Sequence, residues 1–371
     1  MERSPSTRQE AAAPAAGAAA EQDGRRAGLT AWTRARLRQM LPNAPELGKL
    51  EIVSGDASHR RYFRARPTAE TSYIAVDAPP QKEDSRPFVE VTRLLRAASL
   101  RAPELHAADL EQGYMLLEDF GDQLYLPRLL QAQESGDFET AGRLYRAAID
   151  SLLDLQQHVD PRELPAYDKT ELTREMSLFP DWFCRRWLQV EPNAEQMEII
   201  DGCFDFLCGA ALAQTQVAVH RDYHSRNLML PRAGADRPGI LDFQDAVQGA
   251  CSYDLVSLLR DCYIKWDRRR LEEWIGYYLE GARSRGIVCE VTDAQFRRDF
   301  DLMGLQRHLK VLGIFCRLTI RDHKAGFLAD IPLVMEYFTE VAGEYREMEP
   351  IQSWFRRELE PRAREKLRSV N

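Results

Sequence analysis

Residues 220–227 read HRDYHSRN and residues 241–244 read LDFQ, and these two stretches decide the predicted fold. An apolar-rich run, residues 216–219, leads into the first stretch, and residues 239–241 lead into the second. Residues 231–238 read PRAGADRP, which is typical of a loop tip. Each stretch is therefore predicted to follow a short strand, so that the polar side chains of both point towards one place.

The residue types in these stretches suit phosphoryl transfer. The transition state of that reaction is loose, so catalysis consists mostly of positioning and charge neutralisation. Asp222 is predicted to accept or orient the proton of the attacking hydroxyl. Asn227 and Asp242 are predicted to bind Mg²⁺, a hard cation that prefers oxygen ligands. Each motif alone also occurs by chance, and a pair of capped turns is the alternative; the order of the motifs and their shared position at strand ends favour the metal–phosphate site.

Composition restricts the class of protein. A chain of 371 residues can bury a large core and predicts two lobes. A net charge of −8 does not favour a nucleic-acid partner. Seven cysteines without a C-x-x-C pair indicate reduced thiols and a cytoplasmic protein. Because no apolar run is long enough to cross a bilayer, we expect no membrane partner, and we expect a monomer.

The order of predicted elements, strands first and helices later, indicates an α+β protein with a protein-kinase-like two-lobe fold. Residues 1–27 are rich in Ala and Pro and are predicted to form a disordered tail. Residues 28–121 are predicted to form an N-lobe with a small antiparallel sheet, and residues 122–371 a larger, mainly helical C-lobe. The site is expected between the two lobes.

A nucleotide loop is predicted from the layout of strand, small polar turn and strand in residues 51–64. Its donors to the phosphates of ATP would be backbone N–H groups around Gly55 and the hydroxyl of Ser58. Protein kinases have three glycines in this loop and this chain has one, so a plain hairpin turn is the alternative.

The next predicted strand, residues 71–77, lacks the lysine with which a kinase normally binds phosphate. Alternative cations are Arg60, Arg61, Arg64 and Lys82. Strand alternation places Arg60 and Arg64 on one face and Arg61 on the other, and we assign Arg61 to the predicted nucleotide site while leaving open which face meets the phosphates. A solvated arginine at a strand edge is the alternative for each of them.

Two further segments are expected to support the site. Residues 114–122, YMLLEDFGD, are predicted to form a strand that breaks at the interlobe hinge, where the backbone of Glu118 and Phe120 would hydrogen-bond adenine; a simple turn is the alternative. Asp254 is predicted to cap the helix that begins near Tyr253 and to tie down the catalytic loop. The aromatic residues within 176–190 are predicted to belong to the core.

Several separate stretches resemble, in order, the aminoglycoside phosphotransferase and choline kinase superfamily, and within it the anomeric N-acetylmuramate/N-acetylglucosamine kinases of bacterial cell-wall recycling. The resemblance extends from about residue 29 to near the C-terminus. It is carried by residues 54–64 (SGDASHRRYFR), 77–80 (DAPP), 117–122 (LEDFGD), 220–227, 241–246 (LDFQDA) and 306–313 (QRHLKVLG).

The resemblance implies a kinase that uses ATP and Mg²⁺ to phosphorylate the C1 hydroxyl of N-acetylmuramate, N-acetylglucosamine or both. The product would be the sugar 1-phosphate, which feeds UDP-sugar synthesis during peptidoglycan recycling. The family's base then corresponds to Asp222 and its metal ligands to Asn227 and Asp242.

The sugar contacts are predicted less directly. Asp245, Arg260 and Asp261 follow the metal strand and are predicted to face the sugar. Because N-acetylmuramate carries a lactyl carboxylate, an arginine contact is expected, for which Arg260, Arg307 and Arg321 are candidates. A structural salt bridge is the alternative for each.

Two other functions stay open at this point. An aminoglycoside or another small hydroxylated metabolite is the alternative acceptor. A catalytically weak nucleotide-binding protein is the alternative of another class, because the strand lysine is absent and the loop has a single glycine.

Overall fold

The computed structural model describes residues 13–43, 45–55, 59–230 and 237–369, with the backbone alone for residues 13–23, 54 and 55. The chain forms two compact units. The first contains the residues up to Glu90 together with Pro103–Asp119, and the second contains Val91–Ala102 together with the residues from Phe120 onwards. The predicted boundary at residue 121 lies close to this division, but residues 91–102, which include the end of a helix, belong to the second unit.

A five-stranded antiparallel sheet forms the first unit, in the order β1-β2-β3-β5-β4. Its third strand pairs in register with the second and the fifth, which makes it the centre of the sheet. The predicted antiparallel sheet is therefore confirmed. The strands are β1 (Glu51–Gly55), β2 (Arg61–Ala65), β3 (Tyr73–Asp77), β4 (Leu105–Asp109) and β5 (Tyr114–Glu118).

Helix α1 (Ala13–Met40) packs on this sheet. Its side chains Leu29 and Trp32 are buried in one apolar cluster with Phe63 of β2 and Leu116 of β5. This burial anchors α1 on the sheet, because removing such side chains from water is the main stabilising contribution to a small unit.

The predicted disordered tail is wrong for residues 13–27, which belong to α1. The alanine-rich composition was read as a sign of disorder, but alanine is also the residue with the highest helix propensity. The proline at position 14 lies at the first turn, where its missing N–H has no intrahelical partner to lose. Residues 1–12 lie outside the described part of the chain.

The second unit is mainly helical, as predicted. It contains the C-terminal part of α2 (Arg86–Ala97), whose sequence is amphipathic. It also contains two short antiparallel ladders, in which β6 (Gln216–Val219) pairs with β9 (Val247–Ala250) and β7 (Leu228–Met229) pairs with β8 (Gly239–Ile240). The helices that follow are α3 (Tyr125–Ser135), α4 (Phe138–His158), α5 (Lys169–Met176), α6 (Ala194–Leu212), α7 (Tyr253–Leu259), α8 (Arg268–Ser284), α9 (Asp293–Arg321), α10 (Ile331–Ala342), α11 (Glu349–Trp354) and α12 (Glu360–Arg368).

Helix α9 is the central helix of the second unit. It packs against α5, α6, α7, α10 and the π-helix Phe179–Leu188. Because it is covered on all sides, its polar residues are buried as well, among them Gln306, Arg307 and Lys310. Buried polar groups require hydrogen-bond or ionic partners, so the polar residues in the middle of α9 are candidates for a functional role.

The π-helix supplies aromatic core residues. Phe179, Phe183 and Trp187 are all buried, and the rings of Phe179 and Phe183 are stacked with their centroids 5.5 Å apart. The prediction that these aromatics belong to the core is confirmed. Within the described residues, no helix combines the length and the apolar character needed to cross a membrane.

Candidate active site

Two short ladders of the second unit position the catalytic stretches. Strand β6 ends at Val219, directly before His220, and β8 ends at Ile240, directly before Leu241. Both strand exits are as predicted. The strands do not pair with each other, however, since β6 pairs with β9 and β8 pairs with β7.

The backbone is strained at two positions of these stretches. Arg221 has a φ of 76° and Asp242 a φ of 61°, in the left-handed region that non-glycine residues rarely adopt. Such conformations persist where the surroundings enforce them, and they cluster at functional sites.

Asp254 of α7 holds the first strained turn. Its buried carboxylate accepts hydrogen bonds from the backbone N–H of His220 at 2.6 Å and of Arg221 at 3.0 Å. Burial raises the pKa of Asp254 to about 7, against the opposing effect of the two N–H donors. The predicted anchoring of the loop is confirmed. The predicted capping role is wrong, because the helix has Ser252 as its N-cap and the carboxylate is occupied by the loop.

His220 connects the two stretches. Its Nδ1 accepts a hydrogen bond from the N–H of Asp222 at 3.2 Å, and its Nε2–H donates to the carbonyl oxygen of Leu241 at 3.0 Å. These partners select the neutral tautomer with the proton on Nε2. Burial lowers the pKa of His220 to about 4, so the ring stays neutral at physiological pH.

Hydrogen bonds bring the three predicted catalytic residues together. The amide nitrogen of Asn227 donates to the carbonyl oxygen of Asp222 at 3.0 Å, and the N–H of Leu241, the neighbour of Asp242, donates to the carbonyl oxygen of Asn227 at 2.9 Å. The Nε2 of Gln244 donates to Oδ1 of Asp242 at 2.8 Å. The backbones of the two stretches are thus held together at Asn227 and Leu241.

The donor set fits Mg²⁺. The amide nitrogen of Asn227 faces the protein, which leaves its oxygen as the ligand atom, and Asp242 adds a carboxylate. Within the described residues, no group of three or more His, Cys, Asp and Glu side chains is arranged to hold a metal ion. Mg²⁺ is usually held by one or two protein side chains together with substrate phosphates, which agrees with this sparse set.

Cationic side chains surround the carboxylate of Asp222. Burial on its own would raise the pKa of Asp222, but the positive charge of Lys310, joined by that of Arg307, outweighs burial and lowers that pKa. Asp222 is therefore ionised at neutral pH and can accept a hydrogen bond from a hydroxyl.

A buried ionic network lies behind the catalytic loop. The Nζ of Lys310 is 3.0 Å from Oε2 of Glu175 and donates to the hydroxyl of Tyr253 at 3.0 Å. Glu175 also forms an ion pair with Arg221 and accepts a hydrogen bond from Tyr167. Glu175 thereby bridges Lys310 of α9 and the strained turn that precedes Asp222.

The sequence analysis missed Glu175 and Lys310. The only local signal was the position of Lys310 between Leu309 and Val311, in the middle of a helix with apolar residues on every face. A lysine in such a position is rarely buried without a partner, but one sequence does not say which carboxylate it meets.

The predicted sugar contacts are not all supported. Arg260 is buried and pairs with Asp301, with Nη2 2.5 Å from Oδ1. Asp261 accepts hydrogen bonds from Ser225, including its N–H at 3.0 Å. Arg260 and Asp261 thus make structural contacts beside their predicted substrate role, which stays a prediction. Asp245 is exposed, and its predicted role stays a prediction.

In the first unit, the predicted nucleotide residues are described only in part. Gly55 ends β1 and is described by its backbone, while Ser58 lies outside the described residues. Arg61 forms an ion pair with the buried Asp77, with Nη2 2.5 Å from Oδ2, and Asp77 is paired with Arg25 of α1 as well. Arg61 thus has a structural contact beside its predicted phosphate role, which stays a prediction.

The other cations proposed for the missing lysine differ in burial. Arg64 is buried against Asp119, with Nε 2.6 Å from Oδ2, and Arg60 is buried near Glu83 at 3.8 Å. Lys82 is exposed. The expectation that Arg60 and Arg64 share a face is consistent with the burial of both.

The predicted hinge contains the point where the chain passes from the first unit to the second. The N–H of Glu118 donates to the carbonyl oxygen of Glu104 at 2.9 Å, so this N–H is unavailable to adenine. The ring of Phe120 lies in the second unit against Gly239, where a Cβ would approach Cδ2 of the ring to 2.5 Å. Only glycine therefore fits at the start of β8. The adenine contacts of the Glu118 carbonyl group and of the Phe120 backbone stay predictions.

Comparison with known proteins gives one consistent result. Residues 49–288 match the sequence model of a family described as the phosphotransferase enzyme family. An N-acetylmuramate/N-acetylglucosamine kinase of Pseudomonas putida is 40% identical over 332 residues, which cover 88% of this chain and 95% of that relative. A kinase with the same name from Neisseria meningitidis is 40% identical over 303 residues, covering 81% and 88% of the two chains.

Solved structures show the same fold at low sequence identity. An ADP-bound aminoglycoside phosphotransferase, APH(2'')-Ib, has a TM-score of 0.54 and 14% identity, covering 83% of this chain and 97% of that one. A choline kinase of Streptococcus pneumoniae has a TM-score of 0.56 and 11% identity, covering 83% and 98%. The predicted kinase-like fold is thereby confirmed.

Proposed function

The chain belongs to the phosphotransferase enzyme family, and from this premise we propose that it transfers the terminal phosphoryl group of ATP to the anomeric hydroxyl of N-acetylmuramate and N-acetylglucosamine. The relatives named for these sugars cover most of the chain in both directions. The aminoglycoside phosphotransferase and the choline kinase share only the fold, so they do not support an aminoglycoside or choline as acceptor.

One structural observation carries the catalytic part of the proposal. Asp222, Asn227 and Leu241-Asp242 are joined by consecutive hydrogen bonds of 3.0 and 2.9 Å. Phosphoryl transfer depends on positioning, and these hydrogen bonds hold together the backbone segments that carry Asp222, Asn227 and Asp242, which supports a shared site for Mg²⁺ and phosphate. It argues against a nucleotide-binding protein without activity.

Asp222 acts on the acceptor hydroxyl. An anomeric hydroxyl is more acidic than an ordinary alcohol, so Asp222 needs to orient its O–H towards the phosphorus more than to remove a proton early. The lowered pKa of Asp222 suits this role, because the carboxylate is ionised and accepts the hydrogen bond throughout the neutral range.

Asn227 and Asp242 would hold Mg²⁺, which when bound neutralises the charge of the phosphates. The nucleotide is proposed to contact Gly55, Ser58, Arg61 and the backbone of Glu118 and Phe120. We also propose that the protein works as a monomer in the cytoplasm, where ATP is available and where the cysteines, all seven described and free, would stay reduced.

Product analysis tests the proposal. The purified protein is incubated with ATP, Mg²⁺ and either N-acetylmuramate or N-acetylglucosamine, and ³¹P NMR identifies the phosphorylated carbon. The expected product is the 1-phosphate of each sugar. A 6-phosphate, or transfer only to an aminoglycoside, would overturn the proposed acceptor, and ATP binding without any transfer would overturn the catalytic proposal.

A further inference from the structure

Arg307 differs from the other buried cations of the described residues. Arg60, Arg64 and Arg260 are also buried, and each has a carboxylate within 4.0 Å: Glu83, Asp119 and Asp301 respectively. The buried Lys310 likewise has Glu175 at 3.0 Å.

Among the described residues, Arg307 has no carboxylate at that distance. It is only 3% exposed, and its one hydrogen bond runs from Nη1 to the sulfur of Cys262 at 3.4 Å. A thiol is a weak acceptor and does not balance a full charge. Burying a charge without a close counter-ion is unfavourable, which indicates that a group outside the described chain completes this contact.

The atoms of Arg307 that are left without a partner define the missing group. Nη1 is the only nitrogen of this guanidinium that makes a hydrogen bond to the described residues, which leaves Nε and Nη2. These two nitrogens form one edge of the guanidinium, with two parallel N–H groups. That edge matches the two oxygens of a carboxylate, which can accept both hydrogen bonds at once.

Arg307 is buried near Asp222, the residue proposed to orient the acceptor hydroxyl. Its charge is near enough to Asp222 to contribute to the lowered pKa of that carboxyl. Its partner Cys262 precedes Tyr263, whose ring packs edge-on against His224 with the centroids 5.5 Å apart. His224 belongs to the catalytic loop, and its buried Nδ1 has no hydrogen-bond partner among the described residues.

The two sugars of the proposed function differ in a suitable group. N-acetylmuramate carries a lactyl ether with a carboxylate, and N-acetylglucosamine carries a hydroxyl at the same carbon. We propose that Arg307 binds this carboxylate through Nε and Nη2 and thereby sets the preference of the enzyme between the two sugars. The inference rests on the proposed function and assigns the specificity-determining residue of that site.

The other two arginines predicted for this contact are weaker candidates. Arg260 is paired with Asp301, and Arg321 is exposed and paired with its neighbour Asp322 at 2.8 Å. Of the three arginines that the sequence put forward for this contact, only Arg307 combines burial, proximity to Asp222 and an uncommitted edge.

The test compares the ratio of kcat/KM for N-acetylmuramate to kcat/KM for N-acetylglucosamine in the wild type, in Arg307→Gln and in Arg307→Lys. Because Arg307→Gln would remove a hydrogen-bonded charge pair with the lactyl carboxylate, we expect this substitution to lower the ratio by about 10- to 100-fold. Arg307→Lys keeps the charge but not the paired N–H groups, so its ratio is expected to lie between those of the wild type and Arg307→Gln. Arg298→Gln is the matched control on the same helix, because Arg298 is already paired with Glu347, and its ratio should stay at the wild-type value.

A modified substrate tests the same contact from the other side. With the wild type, kcat/KM should be lower for the methyl ester of N-acetylmuramate than for the acid, by about the factor that Arg307→Gln loses with the acid. In Arg307→Gln, kcat/KM should be nearly the same for the ester and the acid. An unchanged ratio in Arg307→Gln, or equal losses for both sugars, would overturn the proposal and assign Arg307 to Asp222 or to the phosphates. If the wild type phosphorylates neither sugar, the proposed function fails instead, and that result is visible before any variant is compared.

Discussion

At the residue scale, His220 is the group whose protonation most directly threatens the site. Its Nδ1 faces the N–H of Asp222, so a proton on Nδ1 would place two donors against each other. The pKa of this histidine falls from 6.5 to about 4 on folding, chiefly through burial. A lowered histidine pKa means that the folded state prefers the neutral ring, so its contribution to stability is complete above pH 6.5 and is lost as the pH falls towards 4.

We therefore predict that the wild type loses about 3 kcal/mol of unfolding free energy through His220 as the pH falls from about 7 to about 4. In His220→Gln, the side chain retains one acceptor and one donor but does not titrate. The difference between the unfolding free energies of wild type and variant, measured by urea denaturation across this range, should shrink or reverse at low pH. Parallel pH curves for the two proteins would contradict this account of His220.

At the element scale, α9 is linked to α5 by the pair Lys310–Glu175, and Glu175 reaches the catalytic loop through Arg221. Lys310→Met removes one of the cations that lower the pKa of Asp222. We predict that the acidic limb of the pH profile of kcat/KM moves to higher pH in this variant. Stability should fall by about 1–3 kcal/mol, because a buried carboxylate loses one of its partners.

Lys265→Met is the matched control for this prediction. Lys265 also belongs to the second unit and pairs with Glu336 and Glu340, at 2.8 Å each, but its side chain is 32% exposed. This variant should keep the wild-type pH profile. If both lysine variants shift the profile equally, the effect is not specific to the network at Asp222.

The packing of α9 against the π-helix makes a second prediction at this scale. A Cβ at Gly313 would lie 2.3 Å from the carbonyl carbon of Leu178, whereas a Cβ at Gly276 of α8 meets nothing within 4 Å. Gly313→Ala should lower the unfolding free energy by about 1–3 kcal/mol through overpacking. Gly276→Ala should raise it by about 0.5–1 kcal/mol through helix propensity. If thermal denaturation gave the same change in unfolding free energy for both substitutions, α9 and the π-helix would be able to move apart without destabilising the protein.

At the scale of the whole molecule, folding is expected not to depend on a metal. The proposed ligands Asn227 and Asp242 are already held by hydrogen bonds within the protein. Chelation with EDTA should therefore abolish phosphoryl transfer and change Tm by no more than about 2 °C. A large fall in Tm would reveal a structural metal.

Sequence reasoning reached the features that depend on short-range patterns. The strand exits before His220 and Leu241, the antiparallel sheet and the residues Asp222, Asn227 and Asp242 follow from local motifs and their order. Contacts between distant segments did not follow. Lys310 and Glu175 are far apart in the chain, and only the folded arrangement of α5 and α9 brings them together.

Composition alone did not distinguish disorder from helix near the N-terminus. The alanine-rich stretch before residue 28 fits both disorder and helix, and its contact with the sheet, where Arg25 pairs with Asp77, decides for the helix. Likewise, Arg260 and Asp261 are predicted to face the sugar, and both also make contacts that stabilise the fold. A single sequence cannot separate a structural ion pair from a ligand contact, because both use the same residue types.

The most direct test of the central claim is turnover by Asp222→Asn, measured together with its affinity for ATP. We expect kcat for sugar phosphorylation by Asp222→Asn to fall on the order of 10²- to 10⁴-fold, because the amide cannot accept and orient the hydroxyl proton as a carboxylate does. Affinity for ATP should stay within about threefold of the wild type, because Asp222 is placed at the acceptor. Asp201→Asn, an exposed substitution on α6, should behave as the wild type. Wild-type turnover by Asp222→Asn would contradict the account.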